Sequence, residues 1–251
     1  MIIPKMLPIA GGNITLNTCP EGIDICPQHD YVEREVTVKS FKMAETEVTF
    51  QMYDQCVESG GCKTEISSWV YKNRAVNPPC VEGEACNYPF DENWGRDSHP
   101  VINVSWLDTQ KYIQWLNSLS IGTFRLPTTE EWEYAARANL ETIYPWGDDF
   151  LYGVANCRNC GAPANGENTL EVARFSPNQF GLYDMVGNVA EWTSSCFPTR
   201  EKGSQKCATY IYRGGSFLWL AHHLTPSTAL NAMNNGLRIN SLGFRLVQDF
   251  E

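Results

Sequence analysis

Apolar and polar positions predict short strands, then helices, and then a long turn-rich half of the chain. Residues 1–45 alternate apolar stretches with turn residues, which is typical of strands. Thr49 is a polar residue in front of a helical pattern, so it predicts the N-cap of a helix to about Ser59. The pair Gly60 and Gly61 then ends that helix, because glycine readily adopts the left-handed conformation of helix ends.

Two later segments also begin with residues that cap helices. Ser105, with Asp108 three residues later, predicts a capping-box start for a helix to about Leu119, although Asp replaces the usual Glu or Gln. Thr128 and Glu131 predict a second capping box. The inner, apolar face of that last helix is predicted to contain Trp132, Ala135 and Ala136.

The second half of the chain, from about Tyr144, is rich in turn residues and is predicted to contain short strands such as residues 209–213 and 243–247. Two or three helices among many short strands and irregular loops indicate an α+β domain. No repeat or linker divides the sequence, so we expect residues 1–251 to form a single domain. Residues 63–98 form a long polar insertion, and a loop of that length is usually functional or cross-linked.

Charge and hydropathy exclude two classes of partner. The net charge is −10 and there is no basic run, which argues against nucleic acid because phosphate contacts need Lys and Arg. No apolar run approaches the roughly 20 residues of a membrane span. The first twelve residues are too short and Pro-rich for the apolar core of a signal peptide, so we expect that an export signal has been removed.

Cysteine content gives the strongest compositional signal. Local disulfides are favoured because short loops cost the least entropy to close, although the sequence alone does not fix the connectivity. Zinc is the alternative, since one Cys-x2-Cys is present, but no second such pair or matching histidine spacing accompanies it. Five disulfides would imply an oxidising compartment, which means the periplasm, the cell surface or the medium. The five near-neighbour pairs are Cys19 and Cys26, Cys56 and Cys62, Cys80 and Cys86, Cys157 and Cys160, and Cys196 and Cys207.

Several stretches together resemble the formylglycine-generating enzyme, or sulfatase-modifying factor, family. The order and spacing of these stretches match that family over about residues 5–247, and the resemblance implies a C-type-lectin-like fold with little regular secondary structure. Secreted and kinase-associated bacterial members have cysteine pairs similar to three of those above, at 56 and 62, 157 and 160, and 196 and 207. The matching stretches are residues 100–106 (PVINVSW), 125–137 (RLPTTEEWEYAAR), 144–147 (YPWG), 180–193 (FGLYDMVGNVAEWT), 213–217 (RGGSF) and 242–246 (LGFRL).

Calcium is the cofactor that the resemblance implies. In residues 184–191 two carboxylates flank a glycine turn, and hard cations prefer several oxygen ligands, including backbone carbonyls. One family site corresponds to the side chains of Asp184 and Glu191 with the carbonyls of Gly187 and Val189. A second site would use Asn156, the carbonyl of Cys157 and oxygens of the loop at residues 165–168. The alternative for residues 184–191 is a turn with solvated acids.

Copper is not expected, because active family members bind it through two cysteines shortly after a Gly-Gly-Ser-aromatic stretch. Trp219 and Leu224 occupy the approximate positions of those cysteines here, and neither side chain offers the soft thiolate that Cu(I) prefers. The family motif also usually has Trp where this chain has Ala190. Formylglycine-generating oxidase activity is therefore not expected.

Residues 217–224 place apolar and aromatic side chains beside two histidines, where family members usually have arginines. We interpret Phe217, Trp219, His222 and His223 as a ligand-binding surface for a protein or a glycan, and the alternative is that they repack a lost pocket. The leading hypothesis is a non-catalytic, extracytoplasmic recognition domain stabilised by disulfides and calcium. The alternatives are an enzyme with a different active site, similar to the pyoverdine-maturation branch, and an auxiliary subunit of an active homologue.

Overall fold

A computed structural model describes residues 1–18, 32–62, 89–198, 207–227 and 231–250. Its secondary structure contains three helices, α1 (Phe50–Glu58), α2 (Trp106–Ser118) and α3 (Thr129–Arg137). Ten strands are present in the described residues. They are β1 (Met6–Ile9), β2 (Gly12–Thr18), β3 (Val32–Val38), β4 (Phe41–Ala44), β5 (Phe124–Arg125), β6 (Ala190–Pro198), β7 (Cys207–Arg213), β8 (Asn231–Met233), β9 (Leu242–Gly243) and β10 (Val247–Asp249).

Side-chain caps begin all three helices, as the sequence predicts. The hydroxyl of Thr49 accepts from the backbone N–H of Met52 at the start of α1. Ser105 and Thr128 each form a complete capping box, with Asp108 and Glu131 returning the second hydrogen bond. Asp therefore serves at the third helical position of α2 even though it is shorter than the usual Glu.

Three sheets arrange these strands. The first has the order β1-β4-β10-β5, the hairpin β2-β3 forms the second, and the third has the order β8-β7-β6-β9. The first sheet is antiparallel, and the third is antiparallel except for the pair β6 and β9. Few long elements and many connecting turns confirm the α+β, loop-rich expectation.

The apolar run at residues 243–247 does not form one strand. It contributes β9 to the third sheet and β10 to the first, and residues 244–246 cross between them. Arg245 lies in this crossing with its side chain fully buried. In this crossing the guanidinium contacts a carboxylate on β6.

Two larger hydrophobic clusters support the sheets. One packs α1 and α2 against β6, β9 and residues 101–104, and includes Tyr53, Tyr112 and Trp192. The other packs α3 against the hairpin and the first sheet, with Trp132 at its centre. A third, small cluster surrounds Cys157 and Cys160.

Disulfides join three of the five predicted local pairs. Their Cα–Cα separations are 5.2 Å for Cys56–Cys62, 5.3 Å for Cys157–Cys160 and 5.6 Å for Cys196–Cys207, all within the normal range. The predicted pairs at positions 19 and 26 and at positions 80 and 86 lie outside the described residues, as does most of the predicted insertion.

Candidate functional site

A buried ion pair holds the centre of the family-like motif in place. Arg245 donates from Nε and Nη2 to the carboxylate of Glu191 at 2.6–2.8 Å. The indole of Trp132, in the first turns of α3, donates to Glu191 Oε2 at 2.7 Å. Arg245 also donates to the carbonyl of Tyr183 at 2.8 Å. Both oxygens of Glu191 are therefore engaged, and this carboxylate is fixed in one orientation.

Two further carboxylates surround the same guanidinium. Glu47 Oε2 lies 4.0 Å from Arg245 Nη2, and its Oε1 accepts from Asn188 Nδ2 at 3.1 Å. Asp184 Oδ2 accepts from the backbone N–H of Ala173 at 2.7 Å. Three carboxylates with one guanidinium give this centre a formal charge of −2, which burial makes unfavourable without a further cation.

The acid–base properties of these groups follow from that excess of negative charge. Burial and the nearby charge of Asp184 raise the pKa of Glu47 well above its usual range. Burial likewise raises the pKa of Asp184 to about 6. Both shifts indicate carboxylates whose ionised forms lack sufficient compensation from the protein.

Two buried oxygens at this centre accept no hydrogen bond among the described residues. They are Glu47 Oε2 and Asn156 Oδ1. Buried acceptors without donors are costly, and each one needs a physical explanation. A cation that takes oxygen ligands would supply that explanation.

Asn156 lies directly beside the glycine turn. Its carbonyl accepts from the backbone N–H of Asn188 at 2.8 Å, and its Nδ2 donates to Asn188 Oδ1 at 3.1 Å. Gly187 has φ of 84°, and a Cβ atom there would lie 2.6 Å from the Asn156 carbonyl oxygen, so a side chain is excluded. The fold thus brings the two calcium sites predicted from sequence to adjacent positions.

The remaining residues of the predicted calcium sites are also close to this turn. Val189 is buried, and Cys157 is bonded to Cys160. The carbonyl of Asn168 accepts from Asn156 Nδ2 at 3.1 Å, which places part of the 165–168 loop at the second site. No three His, Cys, Asp or Glu side chains converge on one point within the described ranges, so a cation here would depend on amide and backbone oxygens as well.

Some side chains of residues 217–224 are buried and others are exposed. Phe217 is fully buried, with the ring of Trp94 edge-on at 5.3 Å, and Leu224 is also in the interior. Trp219 is half-buried, whereas His222 and His223 are exposed on a 3₁₀ turn. The surface predicted from the sequence is therefore only partly exposed. Its exposed side chains lie between Leu218 and His223, whereas Phe217 belongs to the interior.

The disulfide Cys157–Cys160 packs against the buried side of this exposed segment. Trp219 and Leu224 both belong to the small cluster around its sulfur atoms. The backbone N–H of Arg158, inside the disulfide loop, donates to the carbonyl of Trp219 at 2.9 Å, and Arg158 pairs with Leu220 in an isolated β-bridge. Trp219 and Leu224, which the sequence analysis compared with the metal-binding cysteines of the resembled family, thus pack against a disulfide.

Sequence reasoning missed several charged residues of the centre. Arg213 is buried, forms an ion pair with Glu133 of α3, and lies 5.6 Å from the centroid of the Trp132 ring. Arg213 and Trp219 both line a surface depression that has essentially no room for a water molecule. Arg213 and Arg245 stand in the motifs RGGSF and LGFRL, but their partners are remote in the sequence. Glu47 carried no signal in the sequence, where it is an acid between Thr46 and Val48.

Within the described residues, no helix is both long and apolar enough to cross a membrane.

Comparisons with known proteins identify the family. The Sulfatase-modifying factor enzyme 1-like domain family matches residues 2–250. The chain is 28% identical to the formylglycine-generating enzyme of Mus musculus, over 99% of this chain and 76% of that protein. It is 29% identical to inactive C-alpha-formylglycine-generating enzyme 2 of Bos taurus, over 96% of this chain and 87% of that protein.

Solved structures show the same fold. PvdO from Pseudomonas aeruginosa superposes with a TM-score of 0.77 at 23% identity, covering 98% of this chain and 95% of that one. Treponema denticola variable protein 1 superposes with a TM-score of 0.68 at 21% identity, with the same coverage. The family match over residues 2–250 establishes that the chain belongs to the sulfatase-modifying factor enzyme 1-like family.

Proposed function

We propose that this chain is a non-catalytic recognition domain that acts outside the cytoplasm, stabilised by disulfides and calcium. One observation carries the proposal: the segment between Leu218 and His223 presents an exposed leucine and two exposed histidines on a rigid, disulfide-supported backbone. Exposed apolar groups on rigid loops are typical of binding surfaces. The three disulfides of the described residues favour an oxidising compartment.

The chemistry of the copper positions supports a non-catalytic role. Trp219 and Leu224 stand where the resemblance to active members places thiolates, and every cysteine in the described residues is in a disulfide. Neither side chain can bind Cu(I). We expect that the protein, incubated with copper and a cysteine-containing sulfatase peptide, gives neither oxygen uptake nor aldehyde. Turnover above that of a copper-free sample would contradict the proposal.

Calcium fits the donor set of the buried centre. Glu47 and Asn156 each offer a buried oxygen that accepts no hydrogen bond from the described residues, and burial raises the pKa of the nearby Asp184. The carbonyls of Gly187 and Val189 belong to the same turn as Asp184. When bound, calcium would neutralise the excess negative charge of this centre. The described contacts give Glu191 a supporting role, because Arg245 and Trp132 already hold both of its oxygens.

Calcium is tested by thermal unfolding with and without a chelator. Calcium that binds only the native state stabilises it by about 2.7 kcal/mol at 100 times Kd, so wild-type protein should melt at higher temperature in calcium. The variant Glu47→Gln tests two properties of this carboxylate, namely its cost as a buried charge and its proposed role as a calcium ligand. In chelator the variant should melt at a higher temperature than wild type, because the cost of burying the ionised Glu47 carboxylate is removed. Adding calcium should raise the melting temperature of the variant by less than that of wild type.

The exposed residue Glu33 on β3 supplies the matched control, since Glu33→Gln removes one charge far from the centre. It should leave the melting temperature unchanged in both buffers. Identical melting of wild type in chelator and in excess calcium would exclude the calcium site.

Recognition is tested by capture from the native cell envelope, with wild-type protein compared with a triple variant, Leu220→Ser, His222→Ala and His223→Ala. These three side chains are exposed, so the variant should fold normally and lose the captured partner. Equal capture by both proteins would contradict the proposed surface. Capture of an active homologue would instead establish an auxiliary subunit, and turnover of a small molecule would establish an enzyme with another active site.

A further inference from the structure

A second loop extends the surface formed by residues 218–223. Residues 143–152, here named the aromatic loop, contain three of the large apolar side chains that are most exposed in the described chain. Tyr152 is 76% exposed, Ile143 is 53% exposed and Leu151 is 46% exposed. Single exposed apolar residues are common, but three on one ten-residue loop indicate a patch that is covered in use.

The aromatic loop is rigid although its surface is exposed. The rings of Tyr144 and Trp146 stack with centroids 5.1 Å apart, and Phe150 meets Tyr152 edge-on at 5.0 Å. The backbone N–H of Ile143 donates to Asp148 Oδ1 at 3.0 Å, which closes the turn. A preorganised aromatic loop loses little conformational entropy on binding.

The disulfide loop joins the two exposed segments. A Cβ atom at Gly161 would lie 3.3 Å from that of Tyr152, and the backbone N–H of Gly153 donates to the carbonyl of Cys160. On its other side the same loop pairs with Leu220 through Arg158. Trp146, Phe150 and Trp219 all pack on one small cluster. The aromatic loop and residues 218–223 therefore flank one disulfide and form one surface.

The negative charge of the aromatic loop favours a partner with positive charge. Residues 138–157 contain Glu141, Asp148 and Asp149 and no Lys, Arg or His. All three acids are exposed. Arg158, which follows this stretch, is also exposed, and the base of its side chain lies near Gly166. Exposed aliphatic and aromatic groups interleaved with acids complement a polypeptide that carries apolar residues beside arginine or lysine, and aromatic rings add cation–π attraction.

We propose that the aromatic loop, with Tyr152 as its anchor, binds a basic, apolar segment of a protein partner. This inference rests on the proposed recognition function and names the chemistry of its partner. Tyrosine and arginine are both enriched in the energetic centres of interfaces. The proposal is specific to this loop, because residues 218–223 carry histidines and no acids.

A fluorescently labelled synthetic peptide, in which glycines separate Leu-Arg pairs, serves as the probe in an anisotropy titration. The same peptide with Leu-Glu pairs is its control. We expect the Leu-Arg peptide to bind more weakly as salt is added, and the Leu-Glu peptide not to bind. Tyr152→Ala should weaken binding of the Leu-Arg peptide by about tenfold or more, without changing the melting temperature.

Matched charge variants separate a local site from general attraction to an acidic protein. Asp148→Asn with Asp149→Asn should weaken peptide binding and its salt dependence, and Asn can still accept the hydrogen bond from Ile143. Glu33→Gln with Glu58→Gln removes the same charge from other exposed positions and should leave binding unchanged. Equal effects of the two double variants, or equal binding of both peptides, would overturn the inference.

Failure of this inference is distinguishable from failure of the proposed function. If the envelope partner is lost in the triple variant of residues 220, 222 and 223 but retained by Tyr152→Ala, recognition stands and the role of the aromatic loop is wrong. Tyr152-dependent binding of a neutral oligosaccharide without binding of the Leu-Arg peptide would replace the protein partner with a glycan.

Discussion

The buried charged centre and the exposed segment at residues 218–223 lie in stretches that both resemble family motifs, yet they differ in how completely the structure constrains them. At the centre, Arg245, Glu191 and Trp132 satisfy one another through short hydrogen bonds. In the exposed segment, the side chains of Leu220, His222 and His223 face solvent. The difference indicates that the fold of this chain depends on the centre, whereas the side chains of the outer segment make a smaller contribution to it.

The largest effect is expected at the centre. Arg245→Met leaves Glu191, Glu47 and Asp184 without their guanidinium, and breaking a buried ion pair by removing one partner costs about 3–5 kcal/mol. Urea unfolding of wild type and variant measures this loss, with the exposed Arg34→Met on β3 as the control. A loss below about 1 kcal/mol would show that the centre does not hold the fold together.

Disulfides provide the next test, because one of them supports the exposed segment. The entropy of loop closure predicts a loss of about 3 kcal/mol for Cys196→Ser with Cys207→Ser, and about 2 kcal/mol for Cys157→Ser with Cys160→Ser. Only the second variant should also weaken partner capture. Alkylation without reduction, followed by mass spectrometry, should find no free thiol, and labelled cysteines would contradict the assignment of an oxidising compartment.

Trp219 lies between the two regions and distinguishes packing from binding. Since it is half-buried against the disulfide, Trp219→Ala should cost about 1.5–3 kcal/mol, less than the loss for a fully buried tryptophan. Leu220→Ser, at the exposed neighbouring position, should change stability by less than about 0.5 kcal/mol and still weaken capture. If Leu220→Ser captures the partner with wild-type affinity while Trp219→Ala unfolds, the segment serves packing alone.

The smallest effect is a pH dependence outside both regions. Burial lowers the pKa of His99, whose ring nitrogen lies 3.0 Å from Thr169 Oγ1, below its usual value of about 6.5. The unfolded chain then binds a proton more tightly than the native state, so stability is complete above about pH 6.5 and decreases below it. The raised pKa values of Asp184 and Glu47 act in the opposite direction over the same range, and they do so in both proteins. Between about pH 7.5 and 5.5, urea unfolding should therefore show a less unfavourable change for His99→Gln than for wild type. An equal change in both proteins would show that His99 does not contribute.

Sequence by itself determined the features that depend on neighbouring residues. Thr49, Ser105 and Thr128 cap their helices because a capping hydrogen bond spans only three residues. The preference for local disulfides followed from the short spacings of the cysteines, and the α+β class followed from two or three helical patterns among short strands. The glycine turn at Gly187 was also predictable, since its motif is contiguous.

Only the tertiary structure decided which distant residues complete the centre. Asn188 and Glu47 are 141 residues apart, and Arg245 and Glu191 are 54 residues apart, so no local pattern could pair them. The exposure of individual side chains could not be predicted from the sequence either, because the short segment from Phe217 to Leu224 contains both core and surface side chains. Burial depends on what the rest of the fold places against each residue, and here Trp94 covers Phe217 while nothing described covers Tyr152.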